Sequence, residues 1–445
     1  MDVDAIESTA ARLRAAGAAL RARPYGDIVA SLGRVGARFL DGSDSLRRRA
    51  LDGLPGEAHV SPAMAAAILD GMARDWTRDR LEALVNAEFD DPSILDGFTM
   101  VGDPSGGPAG VPLRRARALG PGLCLQIVSG SVPGVSVHAL LRSLLVKSPT
   151  LLKPGRGDHL LPTLFAEALA EEDAELGRAL AVTYWPGGSE DVERRALAAA
   201  DLAVVYGSDE TVEVVRAMAP ATTRIVAYHH RVGVGVVGRG ALGEAGSPSG
   251  PEQTAMDVAR AVALFEQRGC VCPQVVYVEE GGTSSPSDFA RTVATAFEAL
   301  EVDLPSPPPT TLEAAQMVQL RGTLEMLEAG GEVEVHHGGA RSPWMVVLES
   351  EAMRLPGGSP RMLRVRPLRD LDELASALAP LGRRLQSVGH AGLGDRTEGV
   401  VDTLAQAGAS RVVPFRALSF PPPWWFHDGR GPLRELIRLV EVEEE

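Results

Sequence analysis

Phe265-Glu-Gln-Arg-Gly-Cys-Val-Cys-Pro-Gln274, with the run Val275-Val-Tyr-Val278 behind it, sets a thiol between two kinds of secondary structure. Apolar residues three and four apart predict a helix over 253–267. Gly269 opens a turn, and the β-branched run predicts a strand over 274–279. Cys270 therefore stands at a helix-to-strand turn, and turns at the ends of α/β elements expose their side chains. A thiolate there is a natural nucleophile towards a thioester or aldehyde carbonyl, because it attacks readily and leaves well. The competing reading makes Cys270 and Cys272 small buried hydrophobes, the commoner fate of an unbridged cysteine. Cys272, where the turn passes into the strand, is either a packing residue or a redox partner.

Working outward, short apolar runs alternate with helical stretches on the amino-terminal side. Strands are expected at 122–129, 150–153, 180–184, 202–206 and 224–228, with helices at 135–146, 160–170, 189–199 and 209–218 between them. Five strands at that spacing predict a parallel sheet with crossover helices, an open nucleotide-type α/β domain. Ahead of it, residues 1–90 read as amphipathic helices, at 5–23 and at 61–89, the second starting at Ser61-Pro62. The Gly, Ser and Pro-rich stretch 238–251 marks a domain boundary. Beyond Cys270 the α/β pattern continues through 287–299, with helices at 311–329 and 371–381 and a strand at 344–348. The tail Pro414-Phe-Arg-Ala-Leu-Ser-Phe-Pro-Pro-Pro-Trp-Trp-Phe-His-Asp-Gly429 sets prolines beside several of the few aromatics. It is expected to wrap across a neighbouring surface before a last helix at 431–440.

Composition narrows the chemistry. The chain has 445 residues, 45% of them apolar, enough for two or three domains with a sizeable core. A net charge of -15 argues against nucleic-acid or anionic-membrane partners, whose phosphates reward basic patches. The longest apolar runs, 140–146 and 232–237, fall far short of the roughly 20 residues of a spanning helix. Asp2, Asp4 and Glu7 stand where a secretory leader would be basic, so a cytoplasmic location is expected. Three cysteines make no disulfide framework, and no Cys/His spacing gives a four-ligand zinc site. Of 44 basic residues only Lys147 and Lys153 are lysines, both in Leu144-Leu-Val-Lys-Ser-Pro-Thr-Leu-Leu-Lys-Pro154. A chain so biased to arginine has reason to keep lysine where arginine does not fit.

The cysteine segment looks like that of aldehyde dehydrogenases, and more closely resembles the fatty acyl-CoA reductase of bacterial luminescence, the LuxC family. The resemblance covers about residues 120–429 and presents several landmarks in the expected order. In that frame Cys270 takes the nucleophile position. Ser129-Gly-Ser-Val-Pro-Gly134 stands where the superfamily carries its Asn-x-Pro turn, with Ser131 in place of an Asn whose amide helps stabilise an oxyanion. A serine hydroxyl also donates but is shorter; an ordinary Gly/Pro turn is the plain alternative. Leu151-Leu-Lys-Pro154 is similar to the Lys-Pro strand end whose ammonium binds the adenosine ribose and any 2′-phosphate, which implies that role for Lys153. A solvated surface lysine is the other reading. Tyr206-Gly-Ser-Asp-Glu-Thr211 looks like the Gly-Ser turn that lays a helix amino terminus against the cofactor pyrophosphate, implying contacts from Gly207, Ser208 and Thr211. The same residues also make an ordinary N-cap.

Arg224-Ile-Val-Ala-Tyr-His-His-Arg-Val-Gly233 falls where hydrolytic aldehyde dehydrogenases carry Glu-Leu-Gly-Gly-Lys, with Ala227 at the glutamate position. Release of free acid needs a base to activate water, whereas acyl exchange with CoA does not, so the missing carboxylate favours the CoA-linked branch. His229 and His230 are either bases or structural residues. Residues 364–371 and 386–390 resemble later strands of the catalytic domain and receive no role. The Trp424-Trp-Phe-His-Asp-Gly429 tail also resembles LuxC-like chains and reads as an aromatic clamp between domains or subunits.

Together these readings predict an α/β, aldehyde dehydrogenase-like fold with two Rossmann-like domains. The expected segments are an N-terminal helical region (1–90), a dinucleotide-binding domain (91–237), a catalytic domain carrying Cys270 (238–411) and a C-terminal arm and helix (412–445). The resemblance implies reduction of a fatty acyl-CoA to the aldehyde through a thioester on Cys270, with NADPH as cofactor and NADH as the alternative. A CoA-independent aldehyde dehydrogenase and a weakened binding homologue are the rival functions. Expected partners are an acyl-CoA or other acyl thioester, further copies in a homo-oligomer, and an acyl-transfer enzyme.

Overall fold

Asp2 accepts the Ala5 amide at 2.9 Å and starts helix α1 (Val3–Ala22), whose buried Ile6, Ala10, Leu13, Gly17 and Leu20 recur every three to four residues along one face. Helices α2 (Tyr25–Arg38), α3 (Ser45–Ala58), α4 (Pro62–Ala73) and α5 (Arg78–Glu88) follow. The computed structural model describes residues 2–102, 114–243, 250–339, 342–349 and 360–442. Two of these helices are not foreshadowed by the sequence pattern: Gly33 and Gly36 inside α2, and Gly53 and Pro55 inside α3, dilute the helical signal. The single helix expected over 61–89 breaks at the 3-10 turn Arg74–Trp76, where Trp76 turns into the core.

The chain divides into two compact units. Unit 1 comprises Met1–Ala58, Ala66–His229 and Pro422–Glu445; unit 2 comprises His59–Ala65 and His230–Pro421. In unit 1, β1 (Thr99–Val101) pairs antiparallel with β2 (Arg114–Leu119). There follow β3 (Cys124–Ile127), α6 (Val135–Leu145), β4 (Thr150–Lys153), α7 (Leu160–Glu172), α8 (Ala174–Arg178), β5 (Leu180–Val182), α9 (Glu190–Ala199), β6 (Leu202–Tyr206), α10 (Asp209–Met218) and β7 (Arg224–Tyr228). The five strands β3 to β7 form a parallel sheet ordered β5-β4-β3-β6-β7. Alternate residues Leu123, Leu125 and Ile127, with Leu151, Ala203, Val205 and Ala227, join one hydrophobic core with Ile6, Ala10 and Leu13 of α1 and with Val192, Ala196 and Leu197 of α9. Each large side chain fully buried there contributes about 1.5–3 kcal/mol.

Unit 2 opens with β8 (Val232–Val237), α11 (Pro251–Ala263) and β9 (Pro273–Glu279), then α12 (Pro286–Asp303), α13 (Thr311–Ala329), β10 (Val333–His337), β11 (Met345–Glu349), β12 (Met362–Leu368), α14 (Leu374–Leu378), β13 (Leu385–Ala391), α15 (Thr397–Gln406) and β14 (Arg411–Pro414). The sheet order is β10-β11-β12-β9-β8-β13-β14, parallel except for β10 at one edge. Here the structure corrects the expected boundary after residue 237. Gly233 to Val237 are all buried, so β8 needs a partner on each edge, and it finds them in β9 and β13 rather than in the first sheet.

A second correction concerns the carboxyl terminus. The expected helix at 431–440 is instead a 3-10 turn, Arg434–Leu436, followed by strand β15 (Arg438–Val442). β15 pairs antiparallel with β2 and completes a three-stranded sheet in unit 1, because Arg438-Leu-Val-Glu-Val442 alternates and finds a strand edge to bond.

Candidate active site

In unit 1 the order β5-β4-β3-β6-β7 sends successive crossovers from β3 to opposite sides of the sheet. The switch point lies between β3 and β6, and ligands of open α/β sheets bind outside the carboxyl ends of strands at such a point. Ser131 lies in the loop after β3, Lys153 is the last residue of β4, and Gly207, Ser208 and Thr211 follow β6. Five of the six expected site residues thus share the carboxyl end of three neighbouring strands. Cys270, the sixth, belongs to unit 2.

Loops 129–134 and 154–158 meet backbone to backbone. A Cβ on Gly130 would fall 1.7 Å from the Arg156 carbonyl oxygen, and one on Gly155 would fall 2.2 Å from the Gly130 nitrogen, so no larger residue fits either position. Gly134, at φ +94°, caps α6, and the buried Asp158 accepts the amides of Gly134 and Ser136 at 2.7 and 2.8 Å. Burial pushes the Asp158 carboxyl up to about 7 against the pull of those amides. Glu57 closes α7 in the same way, accepting the His159 and Leu160 amides at 2.9 and 3.0 Å. The helices after β3 and β4 therefore spend their amino termini on the chain's own carboxylates. The helix after β6, α10, has a neutral cap: Ser208 Oγ accepts the Thr211 amide at 3.3 Å. Of the two acids in its first turn, Asp209 meets His229 Nδ1 at 3.2 Å.

Lys153 is half-buried, its ammonium 5.9 Å from the Trp185 ring centre, and among the described residues it meets no carboxylate within 4.0 Å. Burial pulls its pKa below the usual lysine range. Lys147, by contrast, is structural: buried at φ +57°, it is ion-paired with Asp96. At the ends of β6 and β7, Tyr206 stacks on Tyr228 with ring centres 4.6 Å apart. Tyr228 stacks on His427 at 4.4 Å, and His427 on Trp425 at 4.6 Å. Arg142 donates to the Tyr206 hydroxyl at 3.2 Å. These four stacked rings lie within unit 1.

In unit 2 the predicted helix stops at Ala263, because Phe265, Glu266 and Gln267 take φ values of 58°, 52° and 59°. Three consecutive non-glycine residues in the left-handed region cost about 1–2 kcal/mol each. Side chains hold them there. Glu266, buried, pairs with the fully buried Arg361 through Nε at 2.9 Å and Nη2 at 2.8 Å, and Arg361 also donates to Glu301 at 2.6 Å and to the Leu304 carbonyl at 2.8 Å. Burial raises the Glu266 pKa, and Arg361 opposes it. Gln267 donates to the carbonyls of Pro273 and Met362 at 2.8 and 2.7 Å and accepts the Met362 amide at 2.7 Å. This turn delivers Cys270, half-buried, three residues before Pro273, at the amino end of β9.

Cys272 is a packing residue: wholly buried, its sulfur 3.3 Å from the Leu264 carbonyl oxygen, its thiol pushed up to about 12 by burial. None of the three cysteines forms a disulfide. The roles of Glu266 and Gln267 leave no local signal in the sequence, since their partners at Arg361 and Met362 lie 95 residues on and no glycine advertises the left-handed turn. A cavity of about 340 Å³ adjoins the turn, lined by Gln267, Arg268, Gln274, His59, His230 and Glu313 among others. Ala227 is buried in β7, and among the described residues no group of His, Cys, Asp and Glu could hold a metal ion.

A model of the acyl-CoA reductase (LuxC) family matches residues 21–439. Among curated relatives, a long-chain acyl-protein thioester reductase from Photobacterium phosphoreum is 20% identical over 82% of this chain and 70% of its own length. One from Photorhabdus luminescens is 22% identical over 74% of this chain and 65% of its own. A long-chain acyl-protein thioester reductase 2 from Photobacterium leiognathi is 24% identical, but the match spans only 33% of that protein. Of solved structures, an indole-3-acetaldehyde dehydrogenase from P. syringae in complex with NAD+ superposes with TM-score 0.74 at 14% identity, covering 99% of this chain and 89% of that one. An NADP-dependent glyceraldehyde-3-phosphate dehydrogenase from Bacillus halodurans gives 0.72 at 14% identity, covering 99% and 91%. The fold is that of the aldehyde dehydrogenases.

Proposed function

Since the chain belongs to the acyl-CoA reductase (LuxC) family, we propose that it reduces a long-chain acyl thioester to the aldehyde through a covalent acyl group on Cys270. The observation that carries this reading is the clamped left-handed turn at 265–267. Strain kept at a cost of several kcal/mol, and pinned by buried side chains, is typical of sites where one atom must be held in place. Cys270 as thiolate attacks the thioester carbonyl; its sulfur–carbon bond forms as the bond to the departing thiolate breaks, and that thiolate takes up a proton. The resemblance gives Ser131 the oxyanion-donor role, its hydroxyl standing in place of the family's Asn amide. Ala227 puts no carboxylate at the position of the hydrolytic enzymes' glutamate base, which favours transfer over hydrolysis.

A nicotinamide cofactor, NADPH by preference and NADH otherwise, supplies the hydride when bound. The residues of unit 1 suit such a group: Lys153 offers a desolvated ammonium with no carboxylate partner among the described residues, and α10 keeps a neutral amino-terminal cap at Ser208 and Thr211 beside Gly207. Unit 1 is then the dinucleotide-binding domain and unit 2 the catalytic one. The acyl donor is acyl-CoA or an acyl-protein thioester, the latter named in the relatives.

The test is to mix purified protein with acyl-CoA and read the intact mass. We expect one acyl adduct on Cys270 and aldehyde only after NADPH or NADH is added. Cys270→Ala should lose the adduct while still binding dinucleotide; unchanged turnover in that variant would end the proposal.

A further inference from the structure

At the amino end of the five-stranded sheet in unit 1, away from the strand ends of the candidate site, the surface opens into a groove of about 910 Å³. Four arginines line it. Arg21 comes from the last turn of α1, Arg117 from β2, and Arg224 and Arg438 are the first residues of β7 and β15. Arg438 pairs directly with Leu119, two residues from Arg117, so Arg117 and Arg438 share one face of the three-stranded sheet. Asp201, the only acid in the lining among the described residues, is already committed: Arg14 bonds its two oxygens at 2.8 and 3.2 Å, and the Leu123 amide donates to it at 2.8 Å.

Among the described residues, none of the four lining guanidinium groups meets a carboxylate within 4.0 Å, and the Arg117 Nε is shielded from solvent without a hydrogen-bond partner. This is a concentration of positive charge in a chain whose net charge is -15. Like charges gathered in one concavity repel, and a buried donor with no acceptor costs free energy, so the arrangement is favourable only when an anion fills it. Guanidinium forks match phosphate oxygens in pairs, which is why arginine dominates such sites. The remaining lining, Ala18, Leu436 and others, is small or apolar and suits the organic part of a ligand.

We propose that this groove binds a multiply charged phosphate ligand, the di- or triphosphate of a nucleotide or coenzyme, at a site separate from the dinucleotide site at the other end of the sheet. The inference does not depend on the role of Cys270.

Titration calorimetry of the full-length protein with sodium tripolyphosphate tests it. One saturable site is expected, its affinity falling as salt rises from about 50 to about 200 mM. Arg224→Ala/Arg438→Ala, which changes two exposed positions, should weaken it at least tenfold while leaving acylation of Cys270 intact. Arg117→Ala should weaken it as well. Tighter binding of ATP or CoA than of tripolyphosphate identifies a nucleotide resting on the apolar lining; equal affinity identifies the polyphosphate itself. The proposal is overturned by no saturable binding at about 1 mM, by unchanged affinity in the double variant, by displacement with NADPH, or by binding of an acidic protein in the absence of any phosphate binding.

Discussion

Lys153 and Cys270 both stand out in the amino-acid sequence, and for opposite reasons. Lys153 does so by identity, as one of two lysines in an arginine-rich chain; the fold adds that it is half-buried and meets no carboxylate among the described residues, whereas Lys147 is spent on Asp96. Lys153→Ala should raise the KM for the dinucleotide about tenfold with a smaller change in kcat, since it removes binding common to ground and transition states. Because burial lowers the Lys153 pKa, wild-type cofactor affinity should decline with rising pH earlier than an ordinary lysine would make it, and the decline should be missing in the variant; fluorescence titration of NADPH across pH reads both. Cys270 is marked by its place, between a helix and a strand. Its neighbour Cys272 shares that place in the sequence, and burial separates them: Cys272→Ser should cost stability by burying a more polar hydroxyl in place of the thiol, by about 1–2 kcal/mol in thermal melts, and spare adduct formation.

Among the elements, the turn from Ala263 to Pro273 differs most from expectation and bears most on chemistry. Periodicity predicts a helix through residue 267, since it sees Phe265, Glu266 and Gln267 as three more helical positions. What ends the helix is tertiary: Arg361 takes Glu266 and the start of β12 takes Gln267, neither near in sequence. Gln267→Ala strands the Pro273 and Met362 carbonyls and the Met362 amide, and should destabilise unit 2 by about 2–4 kcal/mol. It should also slow acylation of Cys270 by about 10–100-fold at temperatures where the variant is still folded. Loss of stability with an unaltered acylation rate would show that the clamp only holds the fold. The strands β4, β6 and β7 and the helices α10 and α13 fall where local pattern puts them, because each carries its own period and its own cap.

At the scale of the whole molecule, the two units should answer pH in opposite senses. Asp158 in unit 1 is raised by burial from 3.8 to about 7, so its contribution is complete below about pH 4 and is lost as pH rises through 7. Burial would likewise raise Glu279 of unit 2, but Arg396 and Arg239 hold it down at about 2 against an ordinary 4.5; its contribution is present above about pH 4.5 and is lost as pH falls through 2. Trp344 is the one tryptophan of unit 2, so acid melts followed by fluorescence in a variant with the other four replaced by Phe should report that limb; Asp158→Asn and Glu279→Gln should each flatten only their own. Sequence alone determined what is local: the α/β class, most strands of the first sheet, and the place of Cys270 between a helix and a strand. Tertiary structure alone decided that β8 lies inside the second sheet and that the chain's last segment is a strand returning to β2. It also decided that Glu266 and Gln267 hold a left-handed turn and that four distant arginines share one groove. Each of these rests on partners far along the chain, and periodicity carries no information about a partner that is not a neighbour.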